Sequence, residues 1–278
     1  MKSIAFRQVP PMVELSRDVD CFRISEYEGS EAVAIKVCPN GKPGLVFQHH
    51  QGKTAIECIV TNSGRIVHPP TLFLHGQITE LAVMNFANGP FISVQAVLKP
   101  HALKTLFGMD AVTLTNAHRG YPDFSGEKLN AQLINTVNSL ECVDLLSAFL
   151  LTKLREGRPR DDLVEESLRL IDDHIQAITV KDLLGKLHIS ERQFEKRFVQ
   201  TVGVTPQFYI RMRRFNESIR LMDTGQYERL SDVAQALNFH DQSHFIRDIK
   251  QFSGITPKSI FQKVNEFHHD QIGASYLA

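Results

Sequence analysis

One pattern occurs twice in the last hundred residues, and no other feature limits the fold so tightly. The first copy runs Leu187-His188-Ile189-Ser190-Glu191-Arg192-Gln193-Phe194-Glu195-Lys196-Arg197-Phe198, then Gly203-Val204-Thr205-Pro206. The second runs Leu237-Asn238-Phe239-His240-Asp241-Gln242-Ser243-His244-Phe245-Ile246-Arg247-Asp248-Ile249, then Gly254-Ile255-Thr256-Pro257. Phe194, Phe198, Gly203, Thr205 and Pro206 recur as Phe245, Ile249, Gly254, Thr256 and Pro257, 51 residues on. Upstream, Asp182, Leu187 and Ile189 recur as Asp232, Leu237 and Phe239 at a spacing of 50, so the second copy holds one extra residue in its turn.

Each copy carries its own start and stop signals. Ser190 stands where an N-cap is needed and Gln193 follows three residues later, which reads as a capping box. Asp241 occupies the equivalent place in the second copy. Gly203 and Gly254 end the helices, and Thr205-Pro206 and Thr256-Pro257 open the next ones as N-cap and N1. Each unit is thus a helix, a tight turn, a second helix, a glycine stop and a supporting helix.

In the second helix of each unit, Phe194 and Phe198, or Phe245 and Ile249, share one face by the i, i+4 rule. At about 100° per residue, Arg192 and Lys196 project opposite that stripe. Ser243 and Arg247 take the same angular positions in the second copy. Glu195 and Gln193 flank the first face; Gln242, His244, Ile246 and Lys250 border the second. Polar and basic side chains on the N-terminal half of such a helix are what a major-groove reader needs. An isolated Arg and Lys are ordinarily a solvated surface. The duplication, caps and spacing reverse that reading here.

Between the units, Phe208, Met212, Phe215, Ile219 and Met222 form one helical stripe, with Arg211, Arg213, Arg214 and Arg220 largely on other faces. A rod of this length spans about 25 Å, and it could hold two recognition helices one DNA turn apart. Phosphate contact and plain surface solubility are equal readings of those arginines.

These residues resemble the DNA-binding domain of the AraC/XylS family of transcription regulators. The match is densest from Asn238 to Arg247 and from Phe252 to Pro257, against the family pattern GF-x-D-x-S-x-F-x-R-x-F-K-x-x-x-G-x-T-P, and it extends from about Leu163 to Phe261. Three departures stand out: Asn238 replaces the usual Gly, Asp248-Ile249 replaces a small-Phe pair, and Gln251 follows Lys250 where a second basic residue is frequent. The resemblance carries base reading onto Arg192, Glu195 and Lys196 in the first helix and onto Gln242, Ser243, His244 and Arg247 in the second. It implies double-stranded DNA and a small-molecule effector as partners, with RNA polymerase and a second copy of the chain as further candidates.

A chain of 278 residues favours two domains. Its formal charge is zero, so any basic surface must be local. From Lys186 to Arg220 there are eight Lys/Arg against three Asp/Glu, whereas Asp161 to Asp173 holds six carboxylates against Arg169. A basic stripe on a neutral protein fits salt-sensitive phosphate binding. Cys21, Cys38, Cys58 and Cys142 are scattered without metal-ligand spacing, and neither a leader nor a membrane span is evident. A cytoplasmic protein with reduced thiols is the expectation.

The N-terminal half reads differently. Ala32–Val37, Ala55–Thr61, Ala82–Phe86 and Phe91–Leu98 are short apolar runs set off by turn signals such as Asn40-Gly41 and Asn88-Gly89-Pro90. Strands at this spacing point to a barrel or jelly roll. AraC-type regulators often carry a cupin-like barrel here, and Leu98 to Gly108 is similar to the segment that closes it. His49, His50, His68, His75 and Glu57 lack the spacing of a cupin metal site, so no metal and no cofactor are expected. No nucleophile–base order or phosphate loop is present either, and an enzyme is not expected. Leu129, Leu133, Val137 and Leu140 form one helical stripe and Leu146, Phe149, Leu150 and Leu154 another, which either pack on the barrel or pair with a second subunit.

The expected fold is therefore α+β. A cupin-like β-barrel sensor and dimerisation domain with a helical hairpin occupies residues 1–156. A charged linker with Gly157 and Pro159 spans 157–162, and an all-α domain with two helix-turn-helix units spans 163–278. The alternative is a cupin-type enzyme or a partner-recruiting module fused to a DNA-binding domain.

Overall fold

Apolar runs separated by turns set the strands of the N-terminal part: β1 Ala5–Val9, β2 Val19–Tyr27, β3 Val33–Val37, β4 Gly44–His49, β5 Ile56–Thr61, β6 Ile66–Val67, β7 Leu72–His75, β8 Ala82–Phe86 and β9 Phe91–Leu98. Helix α1 Ala102–Phe107, strand β10 His118–Gly120 and helices α2 Glu127–Ile134 and α3 Ser139–Arg155 complete it. The helical part comprises α4 Asp162–Asp173, α5 Val180–Leu187, α6 Glu191–Val202, α7 Pro206–Asp223, α8 Leu230–Ala236, α9 Gln242–Ser253 and α10 Pro257–Lys263. A hairpin of β11 Phe267–Asp270 and β12 Gly273–Leu277 follows. This is a computed structural model, and it describes residues 4–136, 138–223, 227, 229–239, 242–263, 267–270 and 273–277.

The strands form two antiparallel sheets in the orders β1-β2-β9-β4-β7-β10 and β11-β12-β3-β8-β5-β6. The sheets face each other without joining into a closed barrel, an open arrangement compatible with a cupin-like sensor domain. Ala82–Phe86 and Phe91–Leu98 are strands as expected, while β3 and β5 begin one residue later than Ala32 and Ala55. Strands β1, β2, β4, β6, β7 and β10 were not anticipated, nor was the hairpin β11-β12 beyond the helices. In β2 the apolar Phe22 and Ile24 alternate with Arg23 and Ser25, yet Cys21 and Tyr27 are buried on that second face too, so no clean alternation marks the strand.

Between the sheets, Ile35, Val46, Ile56, Phe73, Phe86 and Phe91 form a small apolar cluster. The outer face of the first sheet is covered instead. Phe22, Ile24, Val94 and Ala96 pack there with Cys142, Val143, Leu146 and Leu150 of α3. The second expected stripe therefore lies on the sheet. The first is corrected: α2 ends at Ile134 and α3 begins at Ser139, so Leu140 belongs to another helix and is 43% exposed. Val137 lies outside the described residues.

In the helical part, Phe194, Phe198, Phe245 and Ile249 are fully buried. Burial of each such side chain contributes roughly 1.5–3 kcal/mol. Gly203 and Gly254 end α6 and α9 at φ +96° and +73°. Thr205 and Thr256 cap the helices that follow, accepting from the backbone N–H of Phe208 and Ser259. At Ser190 the N-cap place is right but the expected bond is not made: its hydroxyl pairs with Oε1 of Gln193 instead. A complete capping box stands one helix earlier, between Thr179 and Asp182. Asp241 lies outside the described residues. Asn238 sits at φ +52° and His188, its counterpart, at φ +50°. The turn needs a left-handed residue in both units, and Asn tolerates that region better than most.

Helix α7 is more than a one-sided rod. Tyr209, Ile210, Met212, Phe215, Asn216, Ser218, Ile219, Leu221 and Met222 are all buried. Its four arginines all have partners within the protein, Arg220 on the surface of α7 itself. Arg211 donates to both carboxylate oxygens of the fully buried Asp248 and to Gln251. Arg213 pairs with Asp172, Arg214 donates to the carbonyls of Ile175 and Ile178, and Arg220 pairs with Glu217. Two of the departures from the family pattern, Asp248 and Gln251, thus form one polar contact with the connecting helix. Truncating Arg211 would leave Asp248 buried without its guanidinium. Arg211→Ala should lower unfolding free energy by about 3 kcal/mol in urea denaturation, and Arg211→Ala with Asp248→Ala should recover part of that loss.

Candidate nucleic-acid interface and cavity

Two short helices, α5 and α8, brace the readers. Buried Leu183 and Val233 anchor them against the same core that holds Phe194 and Phe245. With that stripe inward, Arg192, Glu195 and Lys196 are exposed on α6, and Ser243 and Arg247 are exposed on α9. His244 is half-buried, with its Nε2 3.8 Å from Asp248 and its ring against Phe239. The side chain of Gln242 lies outside the described residues. Ile246, beside Arg247, is 40% exposed, an unusual place for a large apolar side chain. Its sequence signal was its place on the polar border of the helix. One groove brings the units together, lined by Glu191 and Glu195 of α6, Arg211 and Arg214 of α7 and His244 of α9.

The remaining features lie where the helical part meets the sheets. Asp18, 1% exposed, accepts from Thr105 Oγ1 at 2.7 Å and from Arg160 Nη1 at 3.0 Å, and His101 Nε2 is 3.3 Å away. Arg160 also donates to both oxygens of Glu165 at the start of α4, which Arg17 reaches from the other side. Arg158 donates to the carbonyl of Leu106. The segment before α4 is therefore bound down at two arginines. Burial alone would raise the Asp18 carboxyl, but hydrogen bonds from His101, Arg160 and Thr105 outweigh it and hold the group well below the usual carboxylate range.

Further contacts line up along one end of the sheets. Gly41 lies against Tyr209 and Met212 of α7, and Asn216 donates to the carbonyl of Pro39. Thr115 donates to the carbonyl of Gly203 at 2.7 Å. Cys38 is buried inside the helical core, where desolvation pushes its thiol up to about 12. Leu81 packs there too, against Gly254.

Between the sheets is a cavity of about 150 Å3. Asn40, Ile78, Asn116 and Ala117 line it, and their loops meet the helical part at α7, at Gly254 and at Gly203. His75 lines its wall. The other histidines have separate partners: His49 accepts from Gly52, His50 pairs with the carbonyl of Pro90 and His68 with that of Glu57. Among the described residues no three His, Cys, Asp or Glu side chains gather as a metal-binding group. No described helix is long and apolar enough to cross a membrane.

A sheet-rich unit followed by two braced helix pairs with exposed polar tips defines a helix-turn-helix DNA-binding protein. Residues 183–263 match the model of a helix-turn-helix domain, and residues 7–119 match that of a domain of unknown function, DUF6597. A probable transcriptional regulator, LumQ of Photobacterium leiognathi, is 27% identical over 182 residues, 64% of this chain and 69% of that protein. Among solved structures, ToxT from Vibrio cholerae O395 bound to (E)-4-(8-methylnaphthalen-1-yl)but-3-enoic acid is 13% identical with a TM-score of 0.48, covering 94% of this chain and 99% of that one. The AraC-like transcriptional activator CuxR gives 12% identity and a TM-score of 0.25, covering 78% and 95%. Residues 183–263 of the helical part are thus a helix-turn-helix domain, and over 182 residues the chain is similar to a probable transcriptional regulator.

The carboxylate of Asp18 stabilises the folded state above its ordinary pKa of about 4, and that stabilisation fades as pH falls below it. Asp18→Asn should therefore cost about 2 kcal/mol at pH 7, as expected for hydrogen bonds to a charged group. The gap between variant and parent should hold above about pH 4 and narrow progressively as pH falls below it, measured by urea unfolding from pH 7 into the acid range.

Proposed function

We propose that this regulator reads an asymmetric DNA site with α6 and α9, and that a small molecule held between its sheets controls the reading. Arg192, Glu195 and Lys196 would contact bases from the first helix, and Gln242, Ser243, His244 and Arg247 from the second. Lys196 and Arg247 suit guanine edges, and Ile246 suits the methyl group of thymine. His244, held by Asp248, orients α9 as much as it reads.

The observation that carries effector control is the sharing of loops. Segments around Asn40, Ile78 and Asn116 line the cavity, and the same segments meet α7, Gly254 at the end of α9 and Gly203 at the end of α6 respectively. A ligand that prefers one placement of these loops shifts the helical domain by its difference in affinity for the two placements, and by no more. The working units are 1–156, the segment 157–162 and 163–278. The protein acts in the cytoplasm without catalysis or a cofactor, with DNA and the effector as partners. RNA polymerase and a second copy of the chain are further partners in this scheme.

Selection from a random duplex library with the full chain would define the preferred site. On that site Lys196→Ala and Arg247→Ala should each weaken binding by about 1–3 kcal/mol and relax preference at one position. Unchanged affinity and preference in both variants would remove these faces from the reading.

A further inference from the structure

The two units correspond in their ion pairs as well as in their apolar anchors. Arg197 on α6 stands 51 residues before Asp248 on α9, the spacing that relates the two readers. Asp161, the N-cap of α4, stands 50 residues before Arg211 on α7, the spacing that relates the segments upstream of the turns. Within each unit these equivalent positions pair through the same atoms with opposite sign. Arg197 Nε and Nη2 donate to Oδ2 and Oδ1 of Asp161 at 2.9 and 2.6 Å. Arg211 Nε and Nη2 donate to Oδ2 and Oδ1 of Asp248 at 3.3 and 2.5 Å. In the first unit the reader brings the guanidinium; in the second it brings the carboxylate.

On α6, Arg197 lies about 100° round from both Lys196 and Phe198, on the flank between the reading face and the buried stripe. Asp248 holds the same place on α9, between Arg247 and Ile249. Burial of Phe194 and Phe198 fixes where α6 lies. A two-point tie on its flank fixes the roll, and the roll aims Arg192 and Lys196. A fork of two parallel hydrogen bonds resists rotation in a way that one bond does not. Were a reader to settle on the other unit's support, like charges would meet, Asp161 with Asp248 and Arg197 with Arg211.

The two ties differ in their surroundings. Asp248 is fully buried, whereas 43% of the Arg197 side chain is exposed, so the first tie is the softer. It is also connected outward. Asp161 follows Arg160, which holds Asp18 and Glu165, and its Oδ1 caps α4 by accepting from the backbone N–H of Val164.

We infer that Arg197 and Asp248 are equivalent positioning residues of the DNA site, each setting the roll of its reader through a fork to the preceding support. The first reader takes its roll from the segment that joins the two parts of the molecule; the second takes it from within the helical part. This inference rests on the reading faces proposed above and adds the residues that aim them.

On the duplex selected with the full chain, Lys196→Ala and Arg247→Ala mark the positions read by α6 and α9. Asp161→Asn keeps a capping oxygen for α4 but removes the charge, and Arg197→Lys keeps the charge but loses the fork. Each should cut base preference at the α6 position about threefold or more, leave the α9 position unchanged, and add nothing to the other when combined. Asp248→Asn should do the reverse; if it does not fold, the two variants of the first unit decide. The slope of log affinity against log salt should stay at the parent value in Arg197→Gln, whereas loss of a phosphate contact would lower it by about 1. Equal losses at both positions, additive losses, a lowered slope in Arg197→Gln, or unchanged preference overturns the assignment. If Lys196→Ala relaxes no position, the reading faces fall and this inference with them; if it does while Asp161→Asn changes nothing, the positioning role alone falls.

Discussion

Tyr209, Met212, Phe215 and Ile219 of α7 have no exposed surface, and the rest of the helical domain is registered on them. Phe198 and Tyr209 meet edge to face on the side of the first unit, and Phe208 and Phe215 both pack on Phe252 from the second. Arg211 adds a charge-assisted tie to buried Asp248, and Arg214 satisfies the carbonyls of Ile175 and Ile178 beyond the end of α4. A shift of this helix would strand a buried carboxylate and two carbonyls, so both recognition helices keep their relation to it. Angular placement of the two readers is therefore set by packing in the core, not by a hinge between them.

The repeat was legible because it combines residues whose physical roles do not interchange. Glycine at a left-handed stop, Thr-Pro at a helix start and aromatics four residues apart each act locally. The exposure of Arg192, Lys196 and Arg247 follows from the same spacing. The roles of Arg211, Arg213, Arg214 and Arg220 were not legible, because their partners lie on other helices, for Arg214 on the segment after α4, or for Arg220 on a neighbouring turn that gave no separate signal. Ser190 shows the limit of a local rule: its hydroxyl takes a side-chain oxygen as partner rather than the backbone. In the sheets, β4 carries a buried apolar run with no alternation, and β2 mixes apolar residues with charged ones that line the cavity or the domain junction. Gln95 drew no notice, since its contact with His75 depends on strands that are adjacent only in space.

Contacts between the two parts of the molecule are of two chemical kinds. Around Asp18 they are ionic and nearly dry, with Arg160 shared between Asp18 and Glu165. Along the loops they are small, mixing apolar contacts of Gly41 on α7, Leu81 on Gly254 and Cys38 in the helical core with single hydrogen bonds to the carbonyls of Pro39 and Gly203. The first kind is geometrically demanding and behaves as an anchor. The second tolerates small slides, and it lies beside the cavity. Small changes between the sheets thus meet the helical domain at its adaptable edge, while Asp18 and Arg160 keep the far edge in place.

Strand β12, at the end of the chain, pairs with β3 near its beginning, with Ser275 opposite Val37 and Leu277 opposite Ile35. The helical domain is consequently attached twice, through the segment before α4 and through this returning ribbon. Without β11 and β12 the second sheet is two strands short and its β3 margin is open to stray pairing. The sheet-rich part thus borrows an edge from residues that follow the helical part, and a chain interrupted between them exposes a sticky border.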